Sequence, residues 1–94
     1  DYILLDEPTT YLDVAHQRTL MQLLRRLADS GKGIVTVMHD LPLAFEFSND
    51  ILVLENGKVK TQAPPSELLD TAVIPEVFQI RVKTTDGGKY YYDA

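Results

Sequence analysis

Two adjacent carboxylates, Asp6 and Glu7, end the apolar run Ile3-Leu4-Leu5 and stand immediately before Pro8. A second apolar run, "GIVTVM" at 33–38, ends in the same way, on His39 and Asp40. Short continuous runs of this kind suit strands buried on both faces, as in a parallel sheet. In an open parallel sheet, ligands bind beyond the carboxyl ends of the strands. Asp6, Glu7 and His39 are therefore expected on one rim. Adjacent residues at a strand end point in different directions, so the two carboxylates can take different tasks. One can hold a hydrated magnesium ion, a hard cation that prefers oxygen ligands. The other can orient a water and draw off its proton. A neutral imidazole across the rim can donate a hydrogen bond to a phosphoryl oxygen.

The elements between these residues must bring them together. Leu20, Leu23, Leu24 and Leu27 recur at three- and four-residue spacing, which predicts a helix over 14–28 with those leucines as its core stripe. Asp13 is placed to cap it, since its carboxylate can accept from the free amides of the first turn. Gly31 is placed to stop it. Strand, helix and strand in this order make one βαβ unit. Further on, Asp40 and Pro42 open a second helix over 41–47. A strand over 50–55 meets Asn56-Gly57, a pair that tolerates the positive φ of a type I′ turn, and 58–62 is the antiparallel return. Pro64 and Pro65 break the sheet, with short helices expected near Ser66 and over 75–78. The last stretch, "IRVKTTDGGKYYYD", reads as a hairpin around 86–88. The expected fold class is α/β, a parallel βαβ core followed by antiparallel hairpins. Two segments are expected, 1–63 and 64–94.

Composition narrows the function classes. The chain has 94 residues, enough for one domain or part of one, and a net charge of −5. That balance argues against a surface built for a phosphate backbone, which needs clustered Lys and Arg. Tyr90, Tyr91 and Tyr92 are accordingly read as an edge strand and not as a base-stacking platform. There is no cysteine, which excludes disulfides and thiolate metal sites and permits a cytosolic home. His16 falls in the first helical turn and is expected at the surface, apart from any metal site. No apolar run approaches the roughly 18 residues needed to span a bilayer. The chain opens on Asp1, directly before an apolar strand, as a cut through a larger protein or a processing site would leave it.

The string "YILLDEPTTYLD" at 2–13 resembles the Walker B motif and D-loop of ATP-binding-cassette ATPases. His39 in "VTVMHD" resembles the switch histidine of that family. "LDVAHQ" at 12–17 and "FSNDILVLENGKV" at 47–59 fit as well. Within the family, residues 1–70 are most similar to the ATPase subunits of importers for iron-siderophores, haem and cobalamin. The resemblance implies a partial P-loop NTPase fold that uses ATP and Mg2+. Asp6 would hold the magnesium through water, and Glu7 would be the general base for the attacking water. His39 would contact the γ-phosphate. Asp13 would belong to the D-loop, which reaches the opposite subunit. Thr10 and Tyr11 stand where the family usually has small residues.

Two family elements are absent from these 94 residues. A P-loop reads G-x-x-x-x-G-K-[ST]. Gly-Lys pairs begin at 31, 57 and 88, but Arg26, Leu52 and Lys83 stand five positions earlier. The Leu-Ser-Gly-Gly-Gln signature is missing too. The resemblance thus implies a full-length ATPase that pairs with a second copy and with permease subunits, bound at the inner face of the membrane. It implies that these 94 residues alone are inactive. The resemblance places the family's Walker A strand between the second and third strands here, so the chain alone is expected to close that gap by rearrangement or by self-association through open strand edges. Two alternatives stand beside transport. One is a cassette ATPase acting on ribosomes or nucleic acid, the other a non-catalytic module using 64–94 as a docking surface.

Overall fold

The structure is a computed structural model and describes residues 1–93. It contains β1 (Tyr2–Asp6), α1 (Val14–Asp29), β2 (Gly33–Val37), α2 (Leu41–Phe47), β3 (Ile51–Glu55), β4 (Lys58–Ala63), α3 (Pro65–Leu69), α4 (Val73–Phe78), β5 (Arg81–Thr84) and β6 (Tyr90–Asp93). The chain forms two compact units, the first from Asp1 to His39 and the second from Asp40 onward. The segment boundary expected at 63/64 falls inside the second unit.

In the first unit, β1 and β2 pair in parallel, from Tyr2 opposite Gly33 to Asp6 opposite Val37. The connecting helix begins and ends for identifiable reasons. Asp13 is extended, and its carboxylate accepts from the His16 amide at 2.9 Å. At the other end Gly31 takes φ +106°, a conformation a β-carbon disfavours. There the Gly31 amide donates to Ala28 O and the Lys32 amide to Leu27 O, which together satisfy the last carbonyls as a Schellman motif.

Two expectations for this unit need correction. Met21 and Leu24 are the buried residues of α1, while Leu23 is 43% exposed. At 100° per residue, position 23 lies about 100° from the centre of the stripe that runs through 17, 20, 21, 24, 27 and 28, just beyond its edge at 27, and Met21 takes its place. The strands are also not buried on both faces. Tyr2 (91% exposed), Leu4 (75%), Val35 and Val37 line an open face, while Ile3, Leu5 and Ile34 on the alternate positions are half-buried. Two strands and one helix cover one side of a parallel sheet only, although the sequence of both strands is written for two covered sides.

The second unit has its own core of Leu41, Phe45, Val53, Leu68, Ile74 and Val82. The Phe45 and Tyr90 rings add a tilted contact, with centroids 5.4 Å apart. The Asp40 carboxylate caps α2 by accepting from the Leu43 amide at 3.1 Å. The Tyr92 hydroxyl accepts from the Leu41 amide at 2.9 Å, so a second orphan donor of that helix start is satisfied from β6. Asn56 (φ 53°) and Gly57 (φ 75°) form the expected left-handed pair between β3 and β4. The register slips between Val53, opposite Thr61, and Leu54, opposite Val59, so Lys60 is the extra residue of a bulge.

β5 and β6 form the terminal hairpin, tied by a Lys83–Asp93 ion pair at 2.8 Å. The hydrogen bond from Lys83 holds the Asp93 carboxyl below its ordinary value, and the same bond raises the Lys83 ammonium. The Asp93 contribution is present above the ordinary carboxylate pKa and is lost as pH falls through the lowered folded value. The Lys83 contribution is present below the ordinary lysine pKa and is lost as pH rises through the raised one. Amide protection of the hairpin is therefore expected to be flat near neutrality and to fall in acid. Asp93→Asn should abolish the part of that acid fall that follows the pair. The effect is small and salt-sensitive, because both side chains are exposed. Hydrogen exchange of the Tyr91 and Tyr92 amides against pH checks it, and an unchanged acid limb in Asp93→Asn would contradict it.

Candidate active site

All four carboxylate and imidazole groups singled out by the sequence belong to the first unit. Asp6 is the last residue of β1 and lies opposite Val37, the last of β2. Glu7 follows in the left-handed region, at φ 48°. That conformation costs a residue with a β-carbon about 1–2 kcal/mol. The Glu7 amide offsets part of this by donating to Val37 O at 2.8 Å, which extends the parallel ladder one step beyond the strand. The turn aims the Glu7 side chain along the rim toward the end of β2. There Glu7 Oε1 meets His39 Nε2 at 2.7 Å.

At this distance the carboxylate and the imidazole form a close polar contact across the ends of the two strands. Both groups stay accessible, Glu7 at 40% and His39 at 78% side-chain exposure. A partly exposed carboxylate at this rim can accept a proton from a water held nearby. Asp6 is exposed and makes no side-chain hydrogen bond or ion pair among the described residues.

Asp13 sits at the other end of the loop from Glu7. Its Oδ1 accepts from the His16 amide and lies 2.9 Å from His16 Nδ1. His16 is at the surface, as the sequence implies, yet it also helps hold the capping carboxylate. The structure thus brings Glu7 and His39 together, keeps Asp6 beside them, and turns one Asp13 oxygen onto its own helix. Sequence reasoning missed Gln17, whose Nε2 donates to the Thr9 carbonyl at 3.0 Å. An amide side chain one turn into a helix, after a loop with no regular pairing, was the available signal.

The donor set fits magnesium in one limited sense. Among the described residues there is no group of three or more His, Cys, Asp or Glu side chains that could hold a metal. Magnesium in phosphoryl-transfer sites keeps several waters and takes one or two carboxylates together with substrate phosphates. A single unencumbered carboxylate at Asp6 matches that pattern.

No protein-family model matches the chain. Individual proteins do. The chain is 42% identical over 79 residues, 84% of its length, to the hemin import ATP-binding protein of Hahella chejuensis. It is 41% identical over 83 residues, 87% of its length, to the petrobactin import ATP-binding protein of Bacillus subtilis. The chain belongs to the ATP-binding-cassette ATPases.

It spans about a third of these relatives, 31% and 33% of their respective lengths. Solved cassette ATPases share the fold. The cbiO1 protein of Clostridium perfringens, part of an ABC transporter complex, aligns with a TM-score of 0.67 at 29% identity over 81% of this chain and 31% of its own. An inward-facing putative metal-chelate type ABC transporter gives a TM-score of 0.74 over 97% of this chain and 38% of its own. At 23% identity, that second likeness is one of fold. The α/β arrangement is thus a partial P-loop NTPase fold, and the Asp6-Glu7 pair and His39 lie at the ends of its two neighbouring parallel strands.

Proposed function

We propose that the chain is the C-terminal part of the ATP-binding subunit of an importer, in which ATP hydrolysis drives uptake of an iron-siderophore, haem or cobalamin. The observation that carries this reading is the Glu7–His39 contact of 2.7 Å, in a chain 42% identical to a hemin import ATP-binding protein. In this reading Glu7 is the general base. Its carboxylate receives the proton of the attacking water, and His39, whose Nε2 lies 2.7 Å from Glu7 Oε1, faces the γ-phosphate. Asp6 holds magnesium through water; when bound, the ion supplies positive charge to the phosphate oxygens. Asp13 lies in the D-loop facing a second copy of the subunit.

Partners follow from the same reading. ATP binding joins two nucleotide-binding subunits, and the pair acts on permease subunits at the inner face of the cell membrane. No helix among the described residues is long and apolar enough to cross a membrane. The open face of Tyr2, Leu4, Val35 and Val37 and the open strand edges support self-association of the 94 residues when they stand alone. The experiment that tests the transport reading is affinity purification of the tagged full-length protein from detergent-solubilised membranes. Recovery of a multi-span membrane protein in stoichiometric amount is expected. Recovery of ribosomes or DNA in its place would move the protein to the non-transport class.

A further inference from the structure

Glu7 and Asp13 are the two ends of one short loop, and that loop is held mostly by its own backbone. The Glu7 amide donates to Val37 O, the Thr10 amide to Glu7 O at 3.3 Å, and the Leu12 amide to Thr9 O at 3.2 Å. Thr9, in the middle, is buried at 6% exposure. One side chain from beyond the loop joins this set. Gln17 donates Nε2 to the Thr9 carbonyl at 3.0 Å in a part-buried bond, while its backbone amide donates to Asp13 O at 2.8 Å. The backbone bond to Asp13 O is the ordinary first bond of α1, so the Gln17 side chain holds the loop at one point, and Thr9 O takes one donor from the loop and one from the helix.

We propose that Gln17 is a positioning residue for hydrolysis, fixing the loop so that Glu7 leaves β1 aimed at His39 and Asp13 enters α1 in place. Glu7 needs such a restraint. A left-handed backbone at a residue with a β-carbon persists only where its surroundings over-determine it. The Glu7 carbonyl is bonded to Thr10, and Thr10 adjoins the Thr9 peptide that Gln17 anchors. Loosening Thr9 lets the turn relax and swings the Glu7 carboxylate away from Nε2 of His39. Small misplacements of a catalytic group have large rate consequences.

The inference rests on the reading of Glu7 as the base, and the test separates the two. In the full-length protein, Gln17→Met keeps side-chain length and helix propensity but removes the donor, whereas Gln17→Lys restores a donor of similar reach. Gln17→Met is expected to lower kcat about 10-fold, to leave KM for ATP within about twofold, and to shift the Glu7 backbone amide resonance in nitrogen-15-labelled protein. Gln17→Lys should recover most of kcat. A Met variant with kcat within about twofold of the parent, a Lys variant no better than Met, or a Met variant that no longer folds would each overturn the proposal. Glu7→Gln is measured in parallel. If it retains turnover, the base assignment fails by itself; the Glu7 amide shift in Gln17→Met then decides the positioning claim, a shift upholding it and no shift overturning it.

Discussion

Glu7→Gln in the full-length protein is expected to lower ATP turnover by about 10²- to 10⁴-fold while leaving ATP binding intact. Glutamine has the same length and keeps an oxygen at the same reach, so the side chain can still approach His39 Nε2 as Glu7 does, at 2.7 Å. Its helix and turn preferences are close to those of glutamate, so the left-handed backbone at φ 48° is strained no further. What disappears is the capacity to take a proton. An interaction used only in the transition state lowers kcat and kcat/KM together and leaves binding alone. Steady-state hydrolysis alongside equilibrium nucleotide binding reads both quantities. Turnover near the parent rate would show that Glu7 is not the base.

The second large effect concerns the 94 residues by themselves. They are expected to release phosphate from ATP no faster than buffer, more than about 10³-fold below the full-length protein. Phosphoryl transfer depends on a P-loop backbone and lysine that cradle the β- and γ-phosphates. The sequence offers Gly-Lys at 31, 57 and 88, and the structure gives each another task. Gly31 ends α1, Gly57 lies in the turn between β3 and β4, and Gly88 lies in the turn between β5 and β6. None stands between a strand and the start of a helix, where a P-loop must be. The Glu7–His39 pair then has no phosphate held against it. Phosphate release from purified chain, at a rate comparable to the full-length enzyme, would contradict this.

Much of the fold was legible because it rests on local chemistry. Asp13 and Asp40 cap their helices, Gly31 ends one, and Asn56-Gly57 turns a hairpin, each through bonds within a few residues. The features that escaped were set by longer range or by absence. Which of Met21 and Leu23 faces inward depends on helix phase, and an all-leucine reading chose the wrong residue. The exposure of Leu4 and Val35 follows from how few layers cover the sheet, which no strand sequence reveals. Tyr92 meets Leu41 across 51 positions, and a tyrosine run carries no sign of that bond. At the site, the strand ends told where Asp6, Glu7 and His39 must stand. Their roles came by resemblance, and the left-handed turn that aims Glu7 came only with the coordinates. Nothing in "DEPTT" announces it, since glycine is absent from that turn.

The most direct measurement is a structure of the full-length Glu7→Gln protein crystallised with ATP and Mg2+. The residue at position 7 is expected within hydrogen-bond reach of a water in line with the γ-phosphate, the His39 ring on a γ-phosphate oxygen, and Asp6 beside the metal's water shell. Nucleotide phosphates bound away from the ends of β1 and β2, with residues 6, 7 and 39 facing bulk solvent, would contradict the assignment of this rim as the hydrolytic site.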